Sequence, residues 1–279
     1  MSMSNLRILI ILGASACALS LSSDVVIGSF NLRREGKEAL PERSWTNRLP
    51  AVSQMILAQA PTVIGFQEAT KSQIQHLKEA LPAYAGIGTS RGKSWFGLAQ
   101  DEAVPLFFDT NKVTLLAGNT FFIHSSSLWI GKSGFLPRIC TWGLFHTKDT
   151  GQKFYVLNIH LDHAFESARL NNLKHVINWI KDAIKDPTIP VFIVGDFNTE
   201  LTPIIKAALP GFSDVRDMAN NIQGSRETHT AWGKGPFDKI DHILIKSTTA
   251  ILVPQYNTII EENNLYLSDH RPIFATIAL

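Results

Sequence analysis

The sequence predicts an α/β sandwich in which helices cover the outer faces of two packed, mixed β-sheets. Short apolar runs typical of buried strands recur along the chain, and segments with helical spacing lie between some of them. The helical segments are apolar on one side only, as expected for helices that pack on a flat sheet. Strand-rich sequence at residues 106–145 and near the C-terminus favours mixed rather than purely parallel sheets.

The apolar runs are predicted to be buried strands, because continuous Val, Ile, Leu and Phe residues are typical of strands covered on both faces. The runs are DVVIGSF (24–30), TVIGF (62–66), FYVLNI (154–159), PVFIV (190–194), HILI (242–245) and PIFATIAL (272–279). The runs VPLFFD (104–109) and CTWGLFHT (140–147) indicate hairpins in the strand-rich stretch.

Amphipathic helices are predicted where apolar residues recur at steps of three and four. The repeating positions are Trp45, Leu49, Val52 and Ile56, then Ile74, Leu77 and Leu81, and finally Leu170, Leu173, Ile177, Ile180 and Ile184. Thr70 is a candidate N-cap for the second helix, and Pro82 is expected to end it. Each helix should therefore bury one face against a sheet.

Composition and length favour one globular catalytic domain over residues 23–279. The chain has 279 residues and 45% apolar residues, which can form one large core or two small ones. No repeat, low-complexity segment or linker divides it. The formal net charge is +2, and loss of residues 1–22 would remove only Arg7 and leave +1. So weak a charge argues mildly against extensive wrapping of nucleic acid, although a short local contact stays open.

Residues 1–22 have the pattern of a signal peptide. Arg7 precedes an apolar segment that begins at Ile8 and is followed by small residues. The segment is shorter than the roughly 20 residues that a membrane-spanning helix needs, so we expect export and cleavage without a stable membrane span. Two alternatives stay open, an uncleaved N-terminal helix and a lipid anchor on Cys17 in the sequence ASAC (14–17).

The two cysteines, Cys17 and Cys140, limit the covalent chemistry of the chain. Cleavage after about residue 22 would leave only Cys140, so no intramolecular disulfide is expected. An exported protein of this size can do without disulfides because its core is large. The count also excludes a metal site built on cysteine ligands.

Polar or titratable residues stand at the ends of nearly all the apolar runs. These residues are Asn31, Glu68, His160, Asp196, Asn198, Asp241, Asp269 and His270. Each has an ordinary explanation, such as a turn residue, a helix-end charge or a local cap. Asp241 is the least easily explained alone, because an unpaired charge in an apolar stretch costs several kcal/mol. Their recurrence at so many strand ends favours a shared site.

The residue types suit a hard divalent cation and a phosphate group. Asn, Asp and Glu provide the oxygen ligands that Mg²⁺ or Mn²⁺ prefers. The sequence has no H-E-x-x-H zinc motif, no Gly-rich phosphate loop and no G-x-S-x-G motif. Two histidines and further carboxylates remain for proton transfer and charge stabilisation. The residues therefore indicate metal-assisted hydrolysis of a phosphoester.

The serial motifs SFN, GFQE, NIHLDH, GDFN, IDHI and SDHRP resemble, in the same order, those of the endonuclease/exonuclease/phosphatase superfamily. The resemblance extends from about residue 25 to the C-terminus. That superfamily includes deoxyribonuclease I, abasic-site endonucleases, inositol polyphosphate 5-phosphatases, neutral sphingomyelinases and deadenylases. LPRICTW (136–142) and NIHLDH are most similar to a bacterial subgroup near the deadenylase branch. The resemblance implies a four-layer α/β sandwich with its site at the sheet edges.

Motif by motif, the resemblance implies a metal site made of Asn31 and Glu68, with Asp269 as a further ligand. The implied cofactor is Mg²⁺, and Mn²⁺ is an alternative. Some nucleases of the superfamily have an acidic residue two positions after the first Asn. This chain has Arg33 there, so the number of metal ions, one or two, stays open.

The resemblance also implies catalytic roles. Asp196 and Asn198 would position the attacking water and the phosphate. Asp241 would orient His270, and His160 would stabilise the phosphate or the leaving group. All these residues lie within or directly beside the quoted motifs.

Two further residues are candidates for substrate binding. Many relatives have Gly-Glu before the run VPLFFD, where this chain has Asp101 and Glu102, which makes Glu102 a candidate. Arg138, in LPRICTW, would contact the phosphate, although a cation at a sheet edge is an equally good interpretation.

We therefore predict an exported, Mg²⁺-dependent phosphoesterase, expected to be a monomer, that hydrolyses a phosphate mono- or diester with water. Nucleic acid is one substrate class, and sugar, inositol or lipid-headgroup phosphates are the other. A non-catalytic binding protein on the same fold is the alternative, but no catalytic residue of the motif set is missing. The apolar segment SSSLWIGKSGFLP (125–137) either docks on a membrane or belongs to the core.

Mass spectrometry of the protein from its native host should find a mature N-terminus between about residues 17 and 24, because the apolar leader segment is too short to be retained as a membrane span. An intact Met1 on soluble cytoplasmic protein would contradict export.

Overall fold

The computed structural model describes residues 24–36, 38, 40–92, 101–124, 137–260 and 266–279. The predicted leader of residues 1–22, with Cys17, lies outside these ranges. Residues 125–136 of the apolar segment SSSLWIGKSGFLP also lie outside them. None of the helices within the ranges has the length and apolarity needed to cross a membrane.

Two mixed β-sheets pack face to face, and the sandwich fold expected from the sequence is confirmed. The first sheet has seven strands. In spatial order they are β10 (Ala219–Gln223), β12 (Leu252–Thr258), β13 (Ile273–Ala278), β1 (Asp24–Asn31), β2 (Val63–Gln67), β4 (Leu106–Asp109) and β3 (Tyr84–Ile87). Strands β1 and β2 are parallel, as are β10 and β12, and the other neighbours are antiparallel.

The second sheet has six strands. Their spatial order is β5 (Val113–Phe122), β6 (Ile139–Thr147), β7 (Lys153–His160), β8 (Val191–Asp196), β11 (Asp241–Lys246) and β9 (Ser213–Asp214). Only β7 and β8 are parallel. Each sheet thus has a central parallel pair whose carboxyl ends carry motif residues.

Helices cover both outer faces, which makes four layers. Helices α1 (Trp45–Gln59) and α2 (Lys71–Ala80) pack on the first sheet, and α3 (Glu166–Ala183) and α4 (Pro203–Ala207) pack on the second. A short 3₁₀ helix (Pro41–Arg43) precedes α1, and α5 (Val215–Met218) follows β9.

The predicted helical faces are the ones that pack. Val52 and Ile56 of α1 and Leu77 of α2 are fully buried against the first sheet. Leu173 of α3 is fully buried against the second. Thr70 caps α2 with a complete capping box, in which its hydroxyl accepts a hydrogen bond from the third residue of the helix.

The central core lies between the sheets and is rich in aromatic residues. Phe145 of β6 packs with Phe108 of β4 at 5.3 Å and with Phe154 of β7 at 5.7 Å between ring centroids. Each such side chain contributes roughly 1.5–3 kcal/mol when it is buried. The strands that carry the site therefore lie on a well-packed interior.

A buried polar bridge joins the sheets next to this core. Asn158 of β7 accepts a hydrogen bond from Gln67 of β2 (2.7 Å) and donates to the carbonyls of Phe66 (2.8 Å) and Pro105 (2.9 Å). At Gly65, a Cβ would lie 2.7 Å from the Asn158 side chain, so glycine leaves the space that the amide occupies. The bridge aligns β2 with β7 across the sandwich.

Several strands of the structure extend beyond the apolar runs that predicted them. Asn31, Gln67, His160 and Asp196 are the last residues of β1, β2, β7 and β8, and Asp241 is the first of β11. Sheet hydrogen bonding therefore holds these backbone positions rigidly, although their side chains are polar.

VPLFFD and CTWGLFHT do not pair with each other, although CTWGLFHT forms an antiparallel hairpin with the next strand, β7. VPLFFD contains β4, which pairs with β2 and β3 in the first sheet, whereas CTWGLFHT belongs to β6, which pairs with β5 and β7 in the second. The other antiparallel partner of β6 is the long strand β5, half of whose residues are polar or small. Apolar character alone does not determine which strands pair.

Candidate active site

A cavity of about 320 Å³ lies where the carboxyl ends of the two central parallel pairs meet. Most of the residues predicted for the site line it, namely Glu68, Glu102, Arg138, His160, Asp196, Asn198, Asp269 and His270. The remaining two, Asn31 and Asp241, are buried one step deeper and hydrogen-bond to lining residues. The structure thus brings together residues that are up to 239 positions apart, from Asn31 to His270.

The Asn31 side chain connects the two sheets at the floor of the site. Its Nδ2 donates to Asp196 Oδ2 over 2.9 Å and lies 3.4 Å from Glu68 Oε1. Its Oδ1 accepts a hydrogen bond from the Arg33 backbone N–H over 3.0 Å. Asn31 therefore holds one carboxylate from each side of the sandwich in a single network.

Three non-glycine residues in the cavity wall have left-handed backbone conformations. Their φ angles are 53° at Arg33, 57° at Glu68 and 53° at Asn198. All three come one or two residues after a strand, where the chain turns sharply. Such conformations cost about 1–3 kcal/mol for most residues and are concentrated at functional sites.

Asp196 and Asn198 reach the same cavity, as the resemblance implied, because the chain turns between them. Strand β8 ends at Asp196, whose Oδ1 accepts a hydrogen bond from the Asn198 backbone N–H over 2.8 Å. Asn198 Nδ2 then donates to the Leu161 carbonyl over 3.0 Å. The preceding Gly195 has a φ of 144°, and a Cβ there would lie 1.9 Å from the Ile159 carbonyl oxygen, so glycine is required.

Asp241 and His270 form a buried pair. Asp241 Oδ2 lies 2.8 Å from His270 Nδ1, and both residues are less than 10% exposed. Because Asp241 pairs with Asp196 in the β8–β11 register, His270 Nε2 also lies 3.8 Å from Asp196 Oδ2. The His229 ring packs on the other side of His270, 4.8 Å away between centroids.

The protonation states of the pair follow from this arrangement. Burial raises the pKa of Asp196 to about 7, an effect that the His270 charge opposes and the Asp241 charge reinforces. Against the effect of burial, Asp241 and Asp196 raise the pKa of His270 to about 10. At neutral pH, His270 is therefore a cation that donates hydrogen bonds, and Asp196 can exchange a proton.

His160 differs from His270 in that its pKa is lowered. Its Nε2 lies 3.5 Å from Asp196 Oδ2, at the end of β7. Burial and the positive charges of Arg138 and Arg91 lower the pKa of His160 well below its usual value. The ring is therefore neutral at physiological pH and can act as a hydrogen-bond donor or acceptor without a net charge.

Glu68 offers an anionic oxygen at the cavity wall. Burial alone would raise the pKa of Glu68, but the Arg33 charge and the Arg34 backbone N–H hold it below its usual value. That N–H donates to Glu68 Oε2 over 3.2 Å. Asp269, the other predicted acidic ligand, lies 3.4 Å from the Arg33 guanidinium through its Oδ2.

The donor chemistry of the site fits a hard divalent cation. Carboxylate oxygens of Glu68 and Asp196 converge on the Asn31 side-chain amide, and carboxylate and amide oxygens are ligands that suit Mg²⁺ or Mn²⁺. The described residues that come closest together as a metal-binding group are Asp196, Asp241 and His270, with ligand atoms within 4.8 Å of one another. In that group the Asp241–His270 hydrogen bond already uses one ring nitrogen, and a protonated imidazole is not a ligand. Glu68 and Asn31 therefore remain the better candidates.

Glu102 contacts arginines. Its Oε1 lies 3.2 Å from Arg34, and its Oε2 lies 3.0 Å from Arg91. Burial raises the pKa of Glu102, despite the charge of Arg91. A carboxylate shared by two guanidinium groups is poorly placed to bind substrate itself, so its geometry favours a role in holding Arg34 and Arg91 at the cavity.

Arg138 is 3% exposed, at the residue that precedes β6. Its Nη2 lies 3.2 Å from His163 Nδ1, and burial lowers its pKa to about 10, which leaves it charged at neutral pH. This burial at the cavity favours contact with a phosphate over the role of a cation at a sheet edge.

Sequence reasoning missed several residues of the cavity wall. Arg34, Arg91 and His229 line it without having been predicted. Arg34 lies three residues after the SFN motif, and His229 lies in no recognised motif. Arg91 has no local signal in the sequence, since its position depends on the contact between residue 103 and residues 69 and 90.

Comparisons with known proteins identify similar chains. Residues 28–270 match the model of the Endonuclease/Exonuclease/phosphatase family. An endonuclease/exonuclease/phosphatase from Bacteroides vulgatus has a TM-score of 0.83 and 29% identity, over 92% of this chain and 100% of that one. The mannosyl-6-phosphatase of Bacteroides thetaiotaomicron has a TM-score of 0.80 and 26% identity, over 91% of this chain and 100% of that one.

A more distant solved structure has a similar fold. D. rerio TDP2, solved with a single-strand DNA product, has a TM-score of 0.72 and 18% identity, over 92% of this chain and 100% of that one. An uncharacterized protein of Acanthamoeba polyphaga mimivirus is 27% identical over 173 residues, or 56% of this chain. The match spans 60% of the length of that curated relative.

Replacement of Glu68 by Gln should lower metal affinity and turnover while the fold is kept, because the change preserves shape and removes the anionic ligand. Loss of about 4 kcal/mol of stabilisation by a bound cation corresponds to roughly a thousandfold in rate. Rates at fixed substrate across a Mg²⁺ titration measure both effects, and circular dichroism checks the fold. Glu79→Gln, an exposed change on α2, is the control. Wild-type rate and wild-type Mg²⁺ dependence would make Glu68 merely a structural carboxylate.

Replacement of Asp241 by Asn should lower turnover on the order of a hundredfold and leave Mg²⁺ affinity nearly unchanged, because the lost charge acts on His270. Turnover and Mg²⁺ affinity are measured separately, with the exposed Asp182→Asn as control. Unchanged turnover would remove Asp241 from the mechanism. A large loss of Mg²⁺ affinity would instead place the cation among Asp196, Asp241 and His270.

Proposed function

The chain belongs to the endonuclease/exonuclease/phosphatase family, and we propose that it is a phosphatase that hydrolyses small phosphate monoesters such as phosphorylated sugars. The fold is that of metal-dependent phosphoesterases. To membership of this family, the proposal adds the substrate class, Mg²⁺ as the metal, and export of the protein.

The size and charge of the cavity carry this proposal. Its volume of about 320 Å³ lies near the lower end of the roughly 300–1,000 Å³ typical of small-molecule sites. Four arginines and four carboxylates line it, a mixture that suits a phosphate group together with a cation, while the whole chain has a net charge of only +2. Proteins that grip nucleic acid along its length rely on a larger positive excess. The similarity to a mannosyl-6-phosphatase at 26% identity supports the same substrate class.

The site residues supply what a hydrolytic mechanism needs. Glu68 and Asn31 would hold the metal ion, which polarises a phosphoryl oxygen and stabilises developing negative charge. Asp196, with its pKa near 7, would accept a proton from the attacking water, and Asn198 would help to orient it.

The two histidines would stabilise charge in different ways. His270, protonated and held by Asp241, would donate a hydrogen bond to the phosphate as its negative charge increases. The neutral His160, on the other side of Asp196, would hydrogen-bond to the phosphate or the leaving-group oxygen. The cavity thus combines a proton acceptor with hydrogen-bond donors around one reacting centre.

A substrate screen tests the proposal. Purified protein should release phosphate from mannose 6-phosphate and glucose 6-phosphate with Mg²⁺ present, lose this activity with EDTA, and regain it when excess Mg²⁺ is added. Inositol phosphates, bis-p-nitrophenyl phosphate, sphingomyelin, DNA and RNA are assayed in parallel, and Mn²⁺ is compared with Mg²⁺. Activity on nucleic acid alone would make the protein a nuclease. Inactivity on every substrate with metal present would favour a non-catalytic binding protein.

A further inference from the structure

Arg138 is a buried cation that forms no salt bridge with the described residues, although the charges of Asp162, Glu102 and Asp196 act on it from a greater distance. It lines the cavity and is 3% exposed, yet its hydrogen-bond partner is the neutral ring of His163. Its Nε is buried and has no hydrogen-bond partner. A buried charge in this state is costly unless an anion pairs with it, and guanidinium is well shaped to bind phosphate oxygens.

The other cavity arginines have carboxylate partners. Arg33 lies 3.4 Å from Asp269, while Arg34 and Arg91 share Glu102 at 3.2 and 3.0 Å. Arg34, Arg91 and Arg138 thus lie around Glu102, which forms salt bridges with the first two. Arg138 is the member of this group with a guanidinium left to bind an incoming anion.

Arg138 lines two spaces, the main cavity and a smaller one that is too small for an additional ester group. An adjoining pocket, walled by Val104, Pro137 and Ile139 as well as by Arg138, has a volume of only about 10 Å³. A space of this size is at the limit of what can hold one water molecule, for which about 10–15 Å³ is needed. An oxygen atom bound to Arg138 would therefore have no room for a carbon substituent on this side.

These features distinguish two classes of phosphate ester. A monoester has three terminal oxygens and a charge of about −1.5 to −2 at neutral pH, whereas a diester has two terminal oxygens and a single negative charge. A diester that placed its second ester oxygen here would meet a crowded wall and leave the Arg138 charge unpaired.

We propose that Arg138 determines specificity for phosphate monoesters by binding the terminal oxygen that a diester lacks. This inference rests on the proposed phosphatase function and deepens it. Arg138 discriminates in two ways, because its charge favours the dianion and its buried surroundings exclude a second alcohol group.

The test compares p-nitrophenyl phosphate with bis-p-nitrophenyl phosphate, a monoester and a diester with the same leaving group. In the full chain with Mg²⁺, Arg138→Gln should lower kcat/KM for the monoester on the order of 10- to 100-fold, as expected for a lost charged hydrogen bond. The value for the diester should change by less than about threefold. For Arg138→Lys, kcat/KM for the monoester should lie between the values for the wild type and for Arg138→Gln, because lysine keeps the charge and loses the planar guanidinium.

Arg226→Gln is the matched control, since Arg226 is exposed and paired with Glu200 on the surface. Arg226→Gln should leave kcat/KM unchanged for both substrates. Thermal unfolding of each variant checks that the fold is kept. Equal losses of kcat/KM for monoester and diester in a folded Arg138→Gln protein would overturn the inference while leaving the phosphatase function intact.

A second measurement needs no variant. Inorganic phosphate and dimethyl phosphate are compared as competitive inhibitors of the wild-type protein, and phosphate should bind at least about tenfold more tightly. Equal inhibition constants would overturn the inference even if Arg138→Gln fails to fold. Absence of any monoesterase activity in the wild type would overturn both the proposed function and this inference.

Discussion

The hydrogen bond between Asn31 and Asp196 is the interaction on which the site depends. It joins the last residue of a strand in one sheet to the last residue of a strand in the other, over 2.9 Å and almost out of contact with solvent. The two sheets must pack in one alignment for this bond to form, and the Asn158–Gln67 bridge imposes the same alignment deeper in the core. An unpaired buried amide or carboxylate costs about 1–3 kcal/mol or more, so a shifted packing would be disfavoured.

Charge in the cavity is arranged so that few groups can be considered alone. Asp196 lies near Asp241, and repulsion between the two carboxylates is relieved by the His270 cation between them. On the opposite wall, the Glu102 carboxylate relieves the repulsion between the Arg34 and Arg91 cations. The first cluster can exchange a proton and the second can receive an anion, and hydrolysis of a phosphate ester requires both.

Turns at the strand ends provide the side-chain directions that strands alone cannot. Alternation along an extended chain would send successive side chains to opposite faces of a sheet. The left-handed conformations of Arg33, Glu68 and Asn198 break that alternation as soon as each strand ends. The packed sheets beneath these turns stabilise conformations that would be unfavourable in isolation.

The sequence by itself determined the α/β class, the buried strands, the amphipathic helices and the motif residues, because these depend on local apolar spacing and on residue chemistry. Only the tertiary structure decided how β4 and β6 pair and that β12 is a strand despite its internal Pro254. It also decided where Arg34, Arg91 and His229 lie. Strand partners and cavity walls depend on contacts between distant residues, such as the 165 positions that separate Asn31 from Asp196. Burial has a further effect: it encloses the Arg138 cation in the cavity wall and raises the pKa of Asp196 to about 7, and neither effect exists until the chain has folded.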